Sequence, residues 1–309
     1  MMEILIQILL LAVGFVLLVK GADSFVDGAS QIAAKLRIPQ LIIGLTIVAM
    51  GTSAPEAAVS ISAALKGSAD ITIGNIAGSN ILNILIILGL SALFTALPVE
   101  RSTTRREMPF LAIISLLLLI QGWDGVISLV DGLILTALFI AFLLYLIIKA
   151  KRQPDQSEVP GKQRKLWQAL LLTVIGLAAI VVGSDVAVDA ACALARIFGI
   201  SERFIGLTIV ALGTSLPELF TSVTAARKGN VDIAIGNIVG SNIFNILFVV
   251  GLSALVIPVP FAEAFRFDGA VAVAAAVLLL VFCAVSGRLK RWHGAVLLAG
   301  YAAYFVTLL

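Results

Sequence analysis

The sequence Gly206-Leu-Thr-Ile-Val-Ala-Leu-Gly-Thr-Ser-Leu-Pro-Glu218 places a carboxylate inside an apolar run that otherwise has the character of a membrane helix. The sequence Gly44-Leu-Thr-Ile-Val-Ala-Met-Gly-Thr-Ser-Ala-Pro-Glu56 repeats it almost residue for residue. Proline lacks a backbone N–H and clashes with the preceding turn, so Pro55 and Pro217 predict a break in each helix. Because an ionisable group at membrane depth is costly, both glutamates are candidates for a functional site.

The composition is typical of a polytopic helical membrane protein. Of the 309 residues, 61% are apolar and only 13% are charged, and the mean hydropathy is +1.12. So little charge cannot cover a water-facing surface, and apolar runs long enough to span a bilayer recur along the chain. We predict an all-α protein of ten transmembrane helices, of which the second, third, seventh and eighth are broken. The predicted spans are residues 4–34, 38–66, 69–97, 106–121, 126–148, 165–196, 201–227, 230–257, 268–286 and 291–308.

The two halves of the chain repeat each other at an offset of 162 residues. About two thirds of the positions between Gly44 and Leu85 are identical to their partners in the second half. Five spans in each half is an odd number, so the second half enters the membrane from the opposite side and the repeats are inverted. We predict a first repeat over residues 1–148, a cytoplasmic linker over 149–165 and a second, inverted repeat over 166–309.

Basic residues predict the orientation in the membrane. With the linker in the cytoplasm, sixteen Lys and Arg residues fall in inner loops, whereas four lie outside, namely Lys66, Arg196, Arg203 and Arg266. This bias predicts that both termini lie outside. It also explains the net charge of +3 without nucleic acid as a partner. The first apolar run carries Glu3 and has no basic start, so we expect it to be retained as a helix.

A second duplicated motif, Gly-Asn-Ile-x-Gly-Ser-Asn-Ile-x-Asn, occupies residues 74–83 and 236–245. Its serine and its last asparagine are four residues apart and therefore share a helix face. Both motifs offer only oxygen ligands, which hard cations such as calcium prefer, and two carboxylates neutralise one divalent ion. The predicted side-chain ligands are Glu56, Glu218, Thr52, Ser53, Thr214, Ser215, Ser79, Asn83, Ser241 and Asn245.

Other polar residues of the spans have structural interpretations. Four asparagines are expected to bond helix to helix, namely Asn75, Asn80, Asn237 and Asn242. Four aspartates are expected at helix ends in water, with ion contact as the less favoured alternative, namely Asp23, Asp27, Asp185 and Asp189. His293 follows a basic pair and is predicted to be solvated at the membrane interface. Gly78 and Gly240 would permit close approach of helices.

At these residues the chain resembles the cation/calcium antiporter superfamily, specifically its prokaryotic sodium/calcium exchanger branch. The resemblance covers the whole chain and depends on the presence of both motifs in both halves. It implies ion sites between the second, third, seventh and eighth helices, with the first and sixth helices sliding past them. It also implies that the backbone oxygens of Ala49 and Ala211 bind ions.

We therefore predict a secondary active antiporter that exchanges sodium for calcium across the cytoplasmic membrane. Certain exchangers carry an aspartate where this chain has Asn245, and the family associates that carboxylate with potassium co-transport, so potassium independence is expected. The resemblance implies three sodium ions per calcium, which would make the exchange electrogenic. Calcium and sodium are the substrates in a lipid bilayer, and neither a cofactor nor a protein partner is predicted.

Two other functions fit the same residues. A proton/calcium exchanger could use the two glutamates to carry protons, since a buried glutamate can titrate near neutrality. A cation channel built on inverted repeats is less favoured. An enzyme is not expected, because the sequence shows no nucleophile–base pair and no metal triad.

Overall fold

The computed structural model describes residues 2–152, 164–199 and 211–308, apart from the side chains of Asp70 and Ala211. Residues 153–163 of the predicted linker and 201–210 of the predicted seventh span lie outside the described residues. The helices are α1 (Met2–Leu36), α2 (Gln40–Thr52), α3 (Ala54–Leu65), α4 (Ile71–Phe94), α5 (Arg101–Asp124), α6 (Leu129–Arg152), α7 (Leu166–Ile197), α8 (Ala211–Thr214), α9 (Leu216–Arg227), α10 (Val231–Val256), α11 (Ala264–Ser286) and α12 (Arg291–Leu308).

The described helices confirm a polytopic helical membrane protein. Seven of them are long and apolar enough to cross a membrane, and α2 with α3 forms a bent apolar pair that makes eight if it is counted as one span. The fifth predicted span begins at Leu129 instead of residue 126, because Val126–Ile127 forms a short strand. The fourth begins at Arg101, five residues earlier than predicted, since a short helical segment precedes its apolar part.

The second span is broken where proline predicts a break. Helix α2 ends at Thr52 and α3 begins at Ala54, with a bend of 51° between them. In the second half, α8 ends at Thr214 and α9 begins at Leu216. Each break therefore falls on the serine that lies two residues before the proline, and each glutamate lies in the first turn of the following helix.

The prediction that the third and eighth spans are broken is wrong. Helices α4 and α10 run without a gap, and each contains a wider π-helical stretch, at Asn83–Leu88 in α4 and at Asn245–Val250 in α10. A π turn keeps the backbone hydrogen-bonded while shifting its register, so these helices accommodate polar residues without opening. Both π stretches begin at a predicted ligand, and they lie at the offset of 162 residues.

Helix α10 is the most enclosed of the spans that the structure describes, and α2 packs against it backbone to backbone. A Cβ atom on Gly236 would lie 2.7 Å from the Leu41 carbonyl oxygen, and one on Gly240 would lie 2.7 Å from Leu45 Cα. A Cβ atom on Gly78, the repeat partner of Gly240, would meet none of the described residues within 4 Å. The glycines of α10 therefore allow the backbones of α2 and α10 to lie in direct contact.

Helices α1 and α7 form a second tightly packed unit. A Cβ atom on Gly14 would lie 2.8 Å from Ala187 Cβ, and one on Gly176 would lie 2.5 Å from the Phe25 nitrogen. Helix α1 also packs against α9, where the rings of Phe15 and Phe220 are 6.0 Å apart. The small residues thus bring the backbones of α1 and α7 into direct contact along their length.

Two antiparallel strand pairs connect the halves. Strand β1 (Leu97–Pro98) pairs with β4 (Arg288–Leu289), and β2 (Val126–Ile127) pairs with β3 (Val259–Pro260). Strands β1 and β3 are repeat partners, as are β2 and β4. Each strand therefore pairs with a strand of the other half, and exchanging the halves leaves the pairing pattern unchanged.

Candidate cation site

The two glutamates are buried side by side at the ends of broken helices. Glu56 and Glu218 are each 1% exposed, and each lies in the first turn of a helix, where the helix dipole favours a negative charge. They are close enough for their charges to interact. Two buried carboxylates cost a great deal of free energy unless a cation or protons compensate them.

Oxygen atoms from both halves surround Glu218. Ser53 Oγ donates a hydrogen bond of 2.7 Å to Glu218 Oε1, and the hydroxyls of Thr52 and Ser241 also face this carboxylate. Thr52 Oγ1 and Ser241 Oγ both reach the Ala49 carbonyl oxygen, at 3.3 and 3.4 Å. Five predicted ligands therefore lie in one connected network.

Glu56 lies near Glu218 and has fewer partners. Ser79 faces it, yet both of its carboxylate oxygens lack a hydrogen-bond donor in the described part of the chain. The same holds for Glu218 Oε2 and for the hydroxyl of Ser215, which are also buried. Buried oxygens without donors are unfavourable by themselves and are the atoms that a dehydrated cation requires.

Four asparagines form a ring that fixes the amides of the other two predicted ligands. Asn83 Nδ2 donates to Asn242 Oδ1 at 2.9 Å, and Asn245 Nδ2 donates to Asn80 Oδ1 at 3.1 Å. Asn80 and Asn242 in turn donate to each other's backbone oxygens, at 3.4 and 3.2 Å. Because their amino groups are engaged, Asn83 and Asn245 keep buried Oδ1 atoms that accept no hydrogen bond.

The remaining two asparagines of the motifs position the glutamate backbones. Asn75 Nδ2 donates to Ser60 Oγ and to the Glu56 carbonyl oxygen, at 2.9 and 3.3 Å. Asn237 makes the equivalent bonds to Ser222 Oγ and the Glu218 carbonyl oxygen, at 2.9 and 3.5 Å. All four asparagines with a predicted structural role thus bond one helix to another.

The second break carries the repeat partners of the ligands at the first break. Thr214 is half-buried and Ser215 is buried beside it, while Ala211 contributes its backbone from the start of α8. Ser215 Oγ makes no hydrogen bond within the described residues, whereas its repeat partner Ser53 donates to Glu218. The two breaks therefore offer the same atoms in different arrangements.

Sequence reasoning missed one residue at this break. Ser184 of α7 is buried and donates a hydrogen bond of 2.8 Å to the Gly213 carbonyl oxygen. In an unbroken helix this carbonyl would accept from residue 217, but proline has no N–H to donate. The repeat partner of Ser184 is Ala22, which has no hydroxyl. Comparing the two halves draws attention to positions that are identical in both. Ser184 differs from its repeat partner, so the comparison did not indicate its contact.

The prediction for His293 is wrong. Its side chain is buried, Nδ1 accepts a hydrogen bond of 3.0 Å from the Lys290 backbone N–H, and the ring stacks on Phe282 at 4.2 Å. The start of α12 therefore uses the imidazole to satisfy a backbone donor that the helix leaves unpaired. Neighbouring basic residues did not indicate this role.

The model of the sodium/calcium exchanger protein family matches residues 6–148 and 168–309. The putative antiporter CaxA of Alkalimonas amylolytica is 41% identical, over 97% of this chain and 98% of its own length. The sodium/calcium exchanger MaX1 of Methanosarcina acetivorans is 34% identical over 99% of both chains. A solved structure of the sodium-calcium exchanger NCX_Mj soaked with zero Na⁺ and Ca²⁺ superposes with a TM-score of 0.88 at 32% identity, covering 99% of this chain and 100% of that one.

Proposed function

Because the chain belongs to the sodium/calcium exchanger family, we propose that it exchanges sodium for calcium across the cytoplasmic membrane. The exchange is electrogenic and independent of potassium. The observation that carries this proposal is the set of buried oxygens without donors in the described residues, on Glu56, Glu218, Asn83 and Asn245, which come from both halves of the chain.

Charge matching favours calcium as one substrate. The described ligand set holds two carboxylates and otherwise neutral oxygens, so one divalent ion brings the site to zero net charge. Three sodium ions bring it to plus one, and the cycle then moves one charge across the membrane. That movement is worth roughly 2.3 kcal/mol per 100 mV, so membrane potential acts on the exchange rate.

The amide of Asn245 supports potassium independence. Its amino group donates to Asn80 Oδ1, a bond that a carboxylate at this position could not make. An asparagine here therefore completes the hydrogen-bonded ring of four asparagines and leaves the site with two negative charges instead of three. Once calcium is bound, such a site has no negative charge left for an additional monovalent cation to neutralise.

The two halves form inverted repeats in this proposal, with both termini outside and the linker in the cytoplasm. The breaks, the π stretches and the short strands recur at the same offset, and each strand pairs with the other half. An odd number of spans per half inverts the second half, and the basic loops set the orientation. The Escherichia coli relative, 43% identical over 81% of this chain, bears the name inner membrane protein YrbG.

Calcium flux into proteoliposomes under separate sodium, potassium and proton gradients tests the function. We expect calcium transport only when a sodium gradient is present. We also expect it to be faster when the membrane potential is oriented so that it favours the movement of the net positive charge that accompanies sodium. Both Glu56 oxygens are buried without a donor, so protons could also occupy them, and proton/calcium exchange is the second candidate. Calcium movement driven by a pH gradient and indifferent to sodium would establish that candidate instead.

A further inference from the structure

Helix α1 is bound to the end of α9 by a group of charged side chains. Lys228 Nζ lies 3.2 Å from Asp23 Oδ1 and 2.8 Å from Asp27 Oδ1, and it also donates to the Asp23 carbonyl oxygen at 3.0 Å. Nearby, Asn230 Nδ2 donates to Ser30 Oγ at 3.0 Å. We call Lys228, Asp23 and Asp27 the first triad.

The offset of 162 residues produces a second set of the same three residue types. It maps Asp23 and Asp27 to Asp185 and Asp189 on α7, and it maps Lys228 back to Lys66 at the end of α3. We call these three residues the second triad. Each lysine directly precedes a glycine with positive φ, Gly67 at 78° and Gly229 at 80°, so both lysines occupy equivalent helix ends.

The second triad is not assembled. Among residues 2–152, 164–199 and 211–308, no ion pair joins Lys66 to Asp185 or Asp189, and all three side chains are exposed. In the first triad both aspartates are half-buried. The two ends of the molecule therefore hold the same charges in two different states, one closed and one open.

The packing of α1 against α7 links the two triads mechanically. Glycines bring the backbones of these helices into contact, so they shift together. A movement of this pair that takes Asp23 away from Lys228 also moves Asp185 relative to Lys66. An inverted repeat can adopt a second conformation in which each half takes the arrangement that the other half has here. In that conformation the second triad would be paired and the first would be open.

We propose that the two triads are alternating ties between the α1–α7 pair and the ion-binding helices. The first triad closes in the conformation seen here, and the second closes when the two halves exchange arrangements. This inference rests on the proposed antiport function, since it supplies positioning residues for the conformational step. Two exposed ion pairs per triad are enough to shift an equilibrium between two conformations by about three- to tenfold.

Cysteine pairs beside the triads report which one is closed and leave the triads intact. Ser30→Cys with Asn230→Cys reports the first, since these side chains touch. The equivalent positions at the other end are Ser68 and the native Cys192, so Ser68→Cys alone completes a reporter there. Cys283→Ala serves both reporters, and Cys192→Ala is added to the first.

Disulfide formation in each reporter is then measured in membranes. We expect Lys228→Gln to slow cross-linking between positions 30 and 230 and to speed cross-linking between 68 and 192, each by about three- to tenfold. Lys66→Gln should do the reverse. Lys228→Asp combined with Asp23→Asn and Asp27→Lys re-forms one ion pair and should move both rates back toward their native values, and Lys20→Gln, on α1 but in neither triad, should leave both unchanged.

Two results would overturn the inference: a slower first reporter in Lys228→Gln with an unchanged second one, or a second reporter that never cross-links in protein that transports calcium. Calcium flux through the same preparation separates this test from the proposed function. Reciprocal cross-linking in protein that does not exchange sodium for calcium would support the alternating triads and refute the proposed function. Normal sodium/calcium exchange without reciprocal cross-linking would support the function and refute the alternating triads.

Discussion

Ser53, in the break between α2 and α3, donates a hydrogen bond of 2.7 Å to the Glu218 carboxylate on α9. A residue at the helix break of the first half thus donates a hydrogen bond to the glutamate of the second half. The reciprocal contact is missing, because Ser215 makes no hydrogen bond in the described part of the chain and neither oxygen of Glu56 has a donor. The two halves of the duplicated site therefore have different hydrogen bonds in this structure, and the opposite assignment of those bonds would be a second arrangement of the same residues.

Replacing either buried acid tests the paired-carboxylate site. Glu56→Gln and Glu218→Gln should each lower sodium-dependent calcium uptake by about a hundredfold or more, because one carboxylate cannot compensate a buried divalent ion. Uptake into proteoliposomes measures this, with size-exclusion chromatography to check folding. Glu263→Gln is the matched control, since that side chain is 88% exposed. Normal calcium affinity in a folded Glu56→Gln variant would refute the site.

Asn245→Asp tests the basis of potassium independence. The change gives the site a third carboxylate and leaves Asn80 Oδ1 without its donor, so bound calcium no longer neutralises the pocket. We expect potassium to stimulate calcium transport in this variant and to leave the native protein unaffected. Asn245→Ala loses the same hydrogen bond without adding charge. Equal stimulation in both variants would show that charge is not the cause.

Ser184→Ala should weaken ion binding at the second break. The Ser184 hydroxyl fixes the Gly213 carbonyl, and since the peptide is planar it also fixes the following N–H of Thr214. Losing one buried hydrogen bond costs about 1 kcal/mol, or roughly fivefold in affinity. We expect a higher KM for calcium or sodium at nearly unchanged maximal flux.

Ser184→Thr keeps the hydroxyl and should restore the native KM. A control on the same helix is Thr173→Val, because the Thr173 hydroxyl is buried and, within the described residues, bonds to the Ala169 carbonyl oxygen of its own helix alone. If both variants change KM equally, Ser184 has no specific positioning role.

Gly240→Ala and Gly78→Ala form a matched pair at repeat positions. A methyl group on Gly240 would meet the backbone of α2 at 2.7 Å, so we expect destabilisation of about 1–3 kcal/mol. The same group on Gly78 meets no described residue within 4 Å, and alanine favours a helix by up to about 1 kcal/mol over glycine. Thermal unfolding in detergent measures both, and equal shifts would contradict the asymmetric packing.

The sequence was sufficient to predict what each half contains. Apolar length gave the spans, and Pro55 and Pro217 gave two of the breaks, because a missing N–H acts locally wherever the residue lies. The π stretches in α4 and α10 were not predictable in this way. Their residues favour an ordinary helix, and the wider turn forms around asparagines that bond to the other half.

The sequence by itself determined the duplication, the inventory of oxygen ligands and the two carboxylates that belong together. It could not determine how equal halves differ, since nearly identical segments have the same local preferences. Only the tertiary structure decided that Gly240 packs against α2, that Lys228 pairs with Asp27 while Lys66 has no ion pair among the described residues, and that Ser53 donates to Glu218. The physical reason is that a chain of two matching halves has two exchangeable arrangements, and long-range contacts select one of them.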